Sequence, residues 1–282
     1  MFASLSAWRA LLLGTFYTSN HSIRTILQPN AQPPILRRWG RDMCRVATET
    51  MQIKTLHSGD LDIEKGVPTL IFANHPCTLS SWFFIDFLYR YFGNDIVVVM
   101  RDDQPFPLNH GVNQSNFSLA IPRDDGPQAR RIIQEHFEQH RGEPCIYVVI
   151  ADGRRWTEER YREQLAYFEK RRPNEDYSWT KHSLKWRAGG TWLPLQAFRE
   201  QYQTFQVYEF LNTFNRPTLG TTGFFQGPAV VEHLLDAHWE YRLTPIEPRE
   251  IPVDHEEFRH WFEKRCQEAN HWLGRKRKHK RF

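Results

Sequence analysis

The amino-acid sequence predicts an α/β fold: a single domain with a mostly parallel central sheet flanked by helices, preceded by an amphipathic N-terminal arm. Three observations carry this. Short continuous apolar runs stand at 69–73 (TLIFA), 96–100 (IVVVM) and 145–150 (CIYVVI), and strands buried on both faces read this way because neither face meets water. Segments of helical period alternate with those runs, the order expected of a sheet built through helical crossovers. The 282 residues are 40% hydrophobic and 14% aromatic against 25% charged, which supports a sizeable core and excludes wholesale disorder.

In chain order, residues 10–17 form the longest apolar stretch near the start, well below the ~18 residues that a spanning helix needs. No transmembrane helix is expected. The opening MFASLSAWRALLLG lacks a clear small-residue cleavage site for a signal peptide. It reads better as an interfacial helix, with Phe2, Leu5, Trp8, Leu11, Leu12 and Phe16 on one side and Arg9 snorkelling. The polar stretch 28–34 (QPNAQPP) closes this arm, 1–34. A helix is predicted over 36–51, then strands at 52–56 and 69–73, a helix over 80–92 and a strand at 96–100. The alternation continues with strand 117–121, helix 127–140, strand 145–150 and helix 157–171. Strands with polar alternation follow at 204–210 and 240–244. The last helix, 254–273, is capped by Asp254 with Glu257 three residues on. Residues 35–273 make up the domain and 274–282 a basic tail.

Lys plus Arg number 37 against 33 for Asp plus Glu, a net +4. The tail GRKRKHKRF alone holds six of those bases, so the body carries 31 against 33, or −2. A basic tail on a slightly acidic body is no nucleic-acid-coating surface, and no aromatic recognition platform surrounds it. The four cysteines (Cys44, Cys77, Cys145, Cys266) show no metal-ligand spacing and are expected reduced. No metal is predicted, because His110, His182 and His271 lack a ligand-like grouping.

Three strand ends carry candidate chemistry. Asn74-His75-Pro76 follows TLIFA, where the ends of strands converge on the crevice of an α/β sheet. A histidine there is also common as a plain hydrogen-bonded loop residue. Asp152-Gly153-Arg154-Arg155 follows CIYVVI, a turn before a helix that suits an anion through free N–H groups and guanidinium forks. It reads equally as a solvated charged turn. Arg123 follows the strand at 117–121.

Taken together, these blocks resemble the 1-acylglycerol-3-phosphate acyltransferase family of glycerolipid acyltransferases, in particular its lysocardiolipin acyltransferase-like branch. Asn74 and His75 match the family's Asn-His followed by four residues and Asp. Arg123 matches the Arg that ends its second block. Asp152, Gly153 and Arg155 match the Glu, Gly and Arg of Phe-Pro-Glu-Gly-Thr-Arg, with Arg154 in place of Thr and Ile150-Ala151 in place of Phe-Pro. Arg187, Gly189 and Gly190 in 181–190 (KHSLKWRAGG), Val207-Tyr208-Glu209, and 248–273 with Trp261 and Leu273 resemble further branch segments. The likeness spans about residues 35–273.

The resemblance implies an acyltransferase of lipid metabolism, peripheral on the cytoplasmic face of a membrane. Acyl-CoA or acyl carrier protein would be its co-substrate, with no other cofactor. His75 would act as general base on the free hydroxyl of a lysophospholipid such as lysophosphatidic acid, whose attack breaks the donor thioester. Arg123 and Arg155 would hold the acceptor phosphate, with Asn74, Asp152, Gly153 and Arg154 beside them. One departure touches the mechanism: Ser80 stands where the family has the Asp that orients the imidazole. The next carboxylate, Asp86, lies about 9 Å further along a helix at 1.5 Å per residue. Ser80 therefore takes the orienting role, or a carboxylate from elsewhere does, with Asp152 the first candidate. The same departure fits a second reading, a catalytically impaired relative that binds lipid or a protein partner without turnover. For the tail, an anionic membrane surface is the expected partner, at about 1 kcal/mol per Lys or Arg near the head groups.

Overall fold

The computed structural model describes residues 4–28, 32–59, 61, 63–76, 78–93, 95–101, 118–122, 125–143, 145–153, 156–216 and 228–278. Seven strands form one sheet in the order β1-β7-β6-β2-β5-β3-β4: β1 (Lys54–Gly59), β2 (Thr69–Ala73), β3 (Ile96–Arg101), β4 (Ser118–Ile121), β5 (Ile146–Ile150), β6 (Gln206–Phe214) and β7 (His238–Ile246). The strands β6, β2, β5, β3 and β4 run parallel. Only β6 against β7 is antiparallel, so the sheet is mostly parallel as expected.

All five residues of β2 are buried. Successive side chains point to opposite faces. Ile71 and Ala73 join one core with Phe210, Trp239 and Tyr241, and Leu70 and Phe72 join the other with Tyr147, Leu211 and Phe258. The first core is covered by α1 (Leu5–Leu27), α2 (Gln32–Arg45) and α3 (Thr78–Tyr91). There α2 and α3 approach so closely that a Cβ on Gly40 would lie 2.9 Å from Ile85 Cγ2. The second core is covered by α4 (Gly126–Gln139), α6 (Ala188–Gln201) and α8 (His255–Lys278). Between them in the chain, α5 (Glu158–Arg171) buries no residue and α7 (Pro228–His233) is short.

Several boundaries moved for identifiable reasons. The helix expected from 36 begins at Gln32, because Pro33 and Pro34 fall in its first turn, where a missing N–H costs nothing. It ends at Arg45, and a π-helical turn, Val46–Thr50, completes the span to 51. The arm packs against the domain: Ala7 and Ala10 are fully buried in the first core, and Ser4 Oγ donates to Glu232 at 2.6 Å. The last helix continues into the basic tail as far as Lys278, and Lys276 pairs with Glu240 at 2.7 Å. Asp254 caps it as read, its Oδ1 accepting from Glu256 and Glu257 N–H at 2.8 and 3.0 Å.

Candidate functional site

The site follows from register. In the parallel pair β2 and β5, Ala73 lies opposite Ile150, so two residues beyond each strand His75 and Asp152 emerge side by side. Asp152 Oδ2 accepts the backbone N–H of His75 at 3.0 Å. The same strand ends are joined by Ala151 N–H to Ala73 O at 2.8 Å and by Trp156 N–H to His75 O at 3.4 Å. Asp152 thus meets His75 through the main chain, fixing the peptide that carries the imidazole.

Gly153 N–H donates back to Ile150 O at 2.9 Å and closes a turn with φ at +63°. Glycine adopts that angle without steric cost. A Cβ there would also stand 3.0 Å from Cδ and Nε of Arg187. Arg187, at the start of α6, therefore lies across the turn, its own N–H bonded to Ala151 O at 2.8 Å. After the turn the Thr157 hydroxyl accepts from Arg160 N–H at 3.0 Å and starts α5.

Burial raises the carboxyl of Asp152 to about 7. The amides of His75 and Asp152 itself, the Arg187 charge and the Ser183 side chain pull the other way. A carboxyl whose folded value exceeds its unfolded one binds its proton more tightly when folded. Its contribution to stability is complete below about pH 4, the unfolded value, and is lost as pH rises through about 7. Asp152→Asn is expected to flatten the fall of Tm between pH 4 and 7; an unchanged slope would show that Asp152 does not titrate there.

Two of the expected site residues lie as follows. Asn74 is 3% exposed. Its Nδ2 donates to Asn212 O at 3.0 Å and its Oδ1 accepts Asn212 N–H at 2.8 Å. Its amide is taken up tying β2 to β6. Ser80 is 2% exposed, and the Oγ of the next residue, Ser81, lies 3.2 Å from His75 Nε2. One residue of helix rotates a side chain by about 100°, which turns Ser80 into the core and Ser81 toward the ring. Asp86 pairs with Arg90 at 2.6 Å. Arg123, Arg154 and Arg155 lie outside the described residues. The site residues that sequence reasoning left unassigned are Ser81 and Arg187. A signal existed for the second in the Arg-Ala-Gly-Gly that opens α6.

Among the described residues, no His, Cys, Asp and Glu side chains gather into a metal-binding group. The arrangement offers a base, a hydroxyl beside it, a buried carboxyl behind it and a guanidinium across the turn, which suits proton transfer and acyl or phosphoryl substrates.

No family model and no curated protein matches the chain. Among solved structures, the 1-acyl-sn-glycerophosphate (LPA) acyltransferase PlsC from Thermotoga maritima matches with a TM-score of 0.56 and 12% identity, over 94% of this chain and 97% of that one. The chain therefore shares the fold of that protein, a mostly parallel sheet flanked by helices, across nearly its whole length.

Proposed function

We propose that the chain is an acyltransferase that moves a fatty acyl group from acyl-CoA or acyl carrier protein to the free hydroxyl of a lysophosphatidic acid-like lysophospholipid, with His75 as general base. One observation carries the reading: on a fold shared with a 1-acyl-sn-glycerophosphate acyltransferase, register places His75 and the Asp152-Gly153 turn at adjacent strand ends, bonded at 3.0 Å. Arg123, Arg154 and Arg155 take the acceptor phosphate, since a phosphomonoester favours planar bidentate donors, and Arg187 adds a guanidinium over Gly153. The test is to incubate the purified chain with lysophosphatidic acid and acyl-CoA or acyl carrier protein. Phosphatidic acid is the expected product. Lipid binding without product would replace this reading by that of a relative without turnover.

The site would work at a membrane surface. No helix of the described residues is long and apolar enough to cross a membrane. On α1, Leu5, Trp8, Leu12, Phe16, Ile23 and Leu27 are 48–86% exposed, and at 100° per residue they form one stripe. Residues 1–41 hold five Arg and no Asp or Glu. An apolar stripe flanked only by cations suits an anionic lipid surface. With Lys276 paired to Glu240, the arm carries this reading further than the tail. Serine at Trp8, Leu12 and Phe16 is expected to weaken binding to phosphatidylglycerol vesicles at least about tenfold, since each buried side chain contributes about 1.5–3 kcal/mol. Equal binding would remove α1 from the contact.

A further inference from the structure

We infer that Asn270 of α8 is a positioning residue of this site: by holding the segment 182–187 it sets Arg187 over the Gly153 turn and so places the guanidinium offered to the acceptor phosphate. The inference rests on the acyl-transfer reading and adds to it a residue outside the three strand-end blocks. The hydrogen bonds of the segment carry it. Residues 182–187 belong to no helix or strand, and buried main-chain N–H groups in such a stretch need partners from elsewhere. His182 and Ser183 N–H both donate to Asn270 Oδ1, at 3.0 and 2.8 Å. Lys185 N–H goes to Gln164 Oε1 on α5 at 2.9 Å, Trp186 N–H to Cys266 Sγ on α8 at 3.4 Å, and Arg187 N–H to Ala151 O at 2.8 Å. The path of the segment is thus set from α8, α5 and the end of β5.

Asn270 is 1% exposed, and its Nδ2 donates to Cys266 O at 3.0 Å, which holds Oδ1 toward the segment. Glu263, Cys266, Asn270 and Gly274 recur at helical spacing on one face of α8, and each meets the segment. Glu263 Oε2 pairs with Lys185 Nζ at 2.7 Å, and a Cβ on Gly274 would stand 2.9 Å from the His182 ring. Asn270 alone among these four accepts two consecutive N–H groups, so removing its side chain leaves two buried donors without their partner. The segment in turn brings two side chains to the site. Ser183, 1% exposed, favours the charged form of Asp152, and Arg187 lies so close over the turn that a Cβ on Gly153 would stand 3.0 Å from its Cδ and Nε. Ser183 precedes Arg187 by four residues, a span too short to absorb a shift at Asn270 without moving the guanidinium.

The test uses the full-length chain and reads Arg187 in two ways. In amide hydrogen exchange, Asn270→Ala is expected to speed exchange at Arg187 N–H at least about tenfold, while Asn212 N–H, held by Asn74 Oδ1 at the junction of β2 and β6, exchanges as in the wild type. Unchanged exchange at Arg187, or equal acceleration at both amides, overturns the inference. In equilibrium binding of lysophosphatidic acid, Asn270→Ala should weaken the complex by about ten- to a hundredfold, the scale of a misplaced positioning group. It should add less than about twofold once Arg187 is already alanine, because a residue that acts through Arg187 then has nothing left to place. Additive losses overturn the inference. Asn270→Asp keeps an acceptor at Oδ1 and gives up only the Nδ2 donation, so both readouts should stay close to wild type; losses as large as those expected for alanine would show that the two N–H bonds do not place Arg187, a result that stands even if the alanine variant fails to fold. Faster exchange at Arg187 in a chain that neither binds lysophosphatidic acid nor forms phosphatidic acid sinks the acyl-transfer reading and leaves Asn270 in its role. Phosphatidic acid formed by Asn270→Ala at the wild-type KM does the reverse.

Discussion

Replacing His75 by alanine is expected to lower the turnover of acyl transfer by about 10²–10⁴-fold, the range over which a positioned general base contributes, with little change in KM. The split follows from geometry. The imidazole meets Ser81 through Nε2 at 3.2 Å, while the contact with Asp152 is made by the His75 backbone N–H at 3.0 Å. Alanine keeps that N–H, so the turn around Gly153 and Arg187 survives and acceptor binding is retained. An interaction missing only from the transition state lowers kcat and kcat/KM together. A rise in KM at constant kcat would assign His75 to binding, and unchanged transfer would exclude it as base. On the acyl-transfer reading the wild-type rate should itself be modest, because the sequence resemblance aligns Ser80, 2% exposed, with an Asp. A hydroxyl brings no charge to the imidazolium; in serine proteases neutralising the corresponding carboxylate costs about 10⁴ in turnover.

Legibility in the sequence followed burial. TLIFA, IVVVM and CIYVVI were readable as strands because both of their faces lie in core, which leaves apolar residues and little else. The strand β6 was read only to 210 because Asn212 and Thr213 interrupt the apolar run, yet both are buried, Asn212 by its pairing with Asn74. Helix α6 was not read at all. Gly189, Gly190 and Pro194 are poor helix formers, and it holds because Leu195 and Phe198 are fully buried against the sheet. In the site, His75 and Asp152 were readable because strand ends converge. The choice of Ser81 over Ser80 depends on where α3 begins: it starts at Thr78, two residues earlier than read, and that rotation is a tertiary outcome. The contact between Arg187 and Gly153 joins segments 34 residues apart by number, and a motif shows both ends without showing that they meet.

The expected result for Glu209→Ala is a loss of about 3 kcal/mol of stability, the lower end of the 3–5 kcal/mol typical of a broken buried pair. Glu209 side-chain exposure is 2%; Oε1 accepts from Arg242 Nη2 at 2.9 Å and Oε2 from Arg265 Nε at 3.1 Å. One carboxylate thus ties β6 to β7 through Arg242 and to α8 through Arg265. The two guanidiniums also lie over Trp272 and Trp261, at 5.4 and 5.3 Å from the ring centres, so neither is free to swing out without giving up that contact. Alanine leaves both cations facing each other without their anion. They keep 27% and 20% exposure, which lets water recover part of the loss and sets the lower figure. Thermal unfolding should then shift down by about 6–12 °C, at roughly 2–4 °C per kcal/mol for a chain of this size. Glu209→Gln should fall between the two, since it keeps the shape and one acceptor but not the charge. Phe210 on β6 pairs in register with Ala73 at the end of β2, and the Asn74–Asn212 bonds hold that junction independently of Glu209. Acyl transfer per folded molecule at 25 °C should therefore persist in Glu209→Ala. An unchanged Tm would mean that the two arginines are satisfied elsewhere, whereas an unchanged Tm with lost transfer would move Glu209 from the frame of the fold into the site.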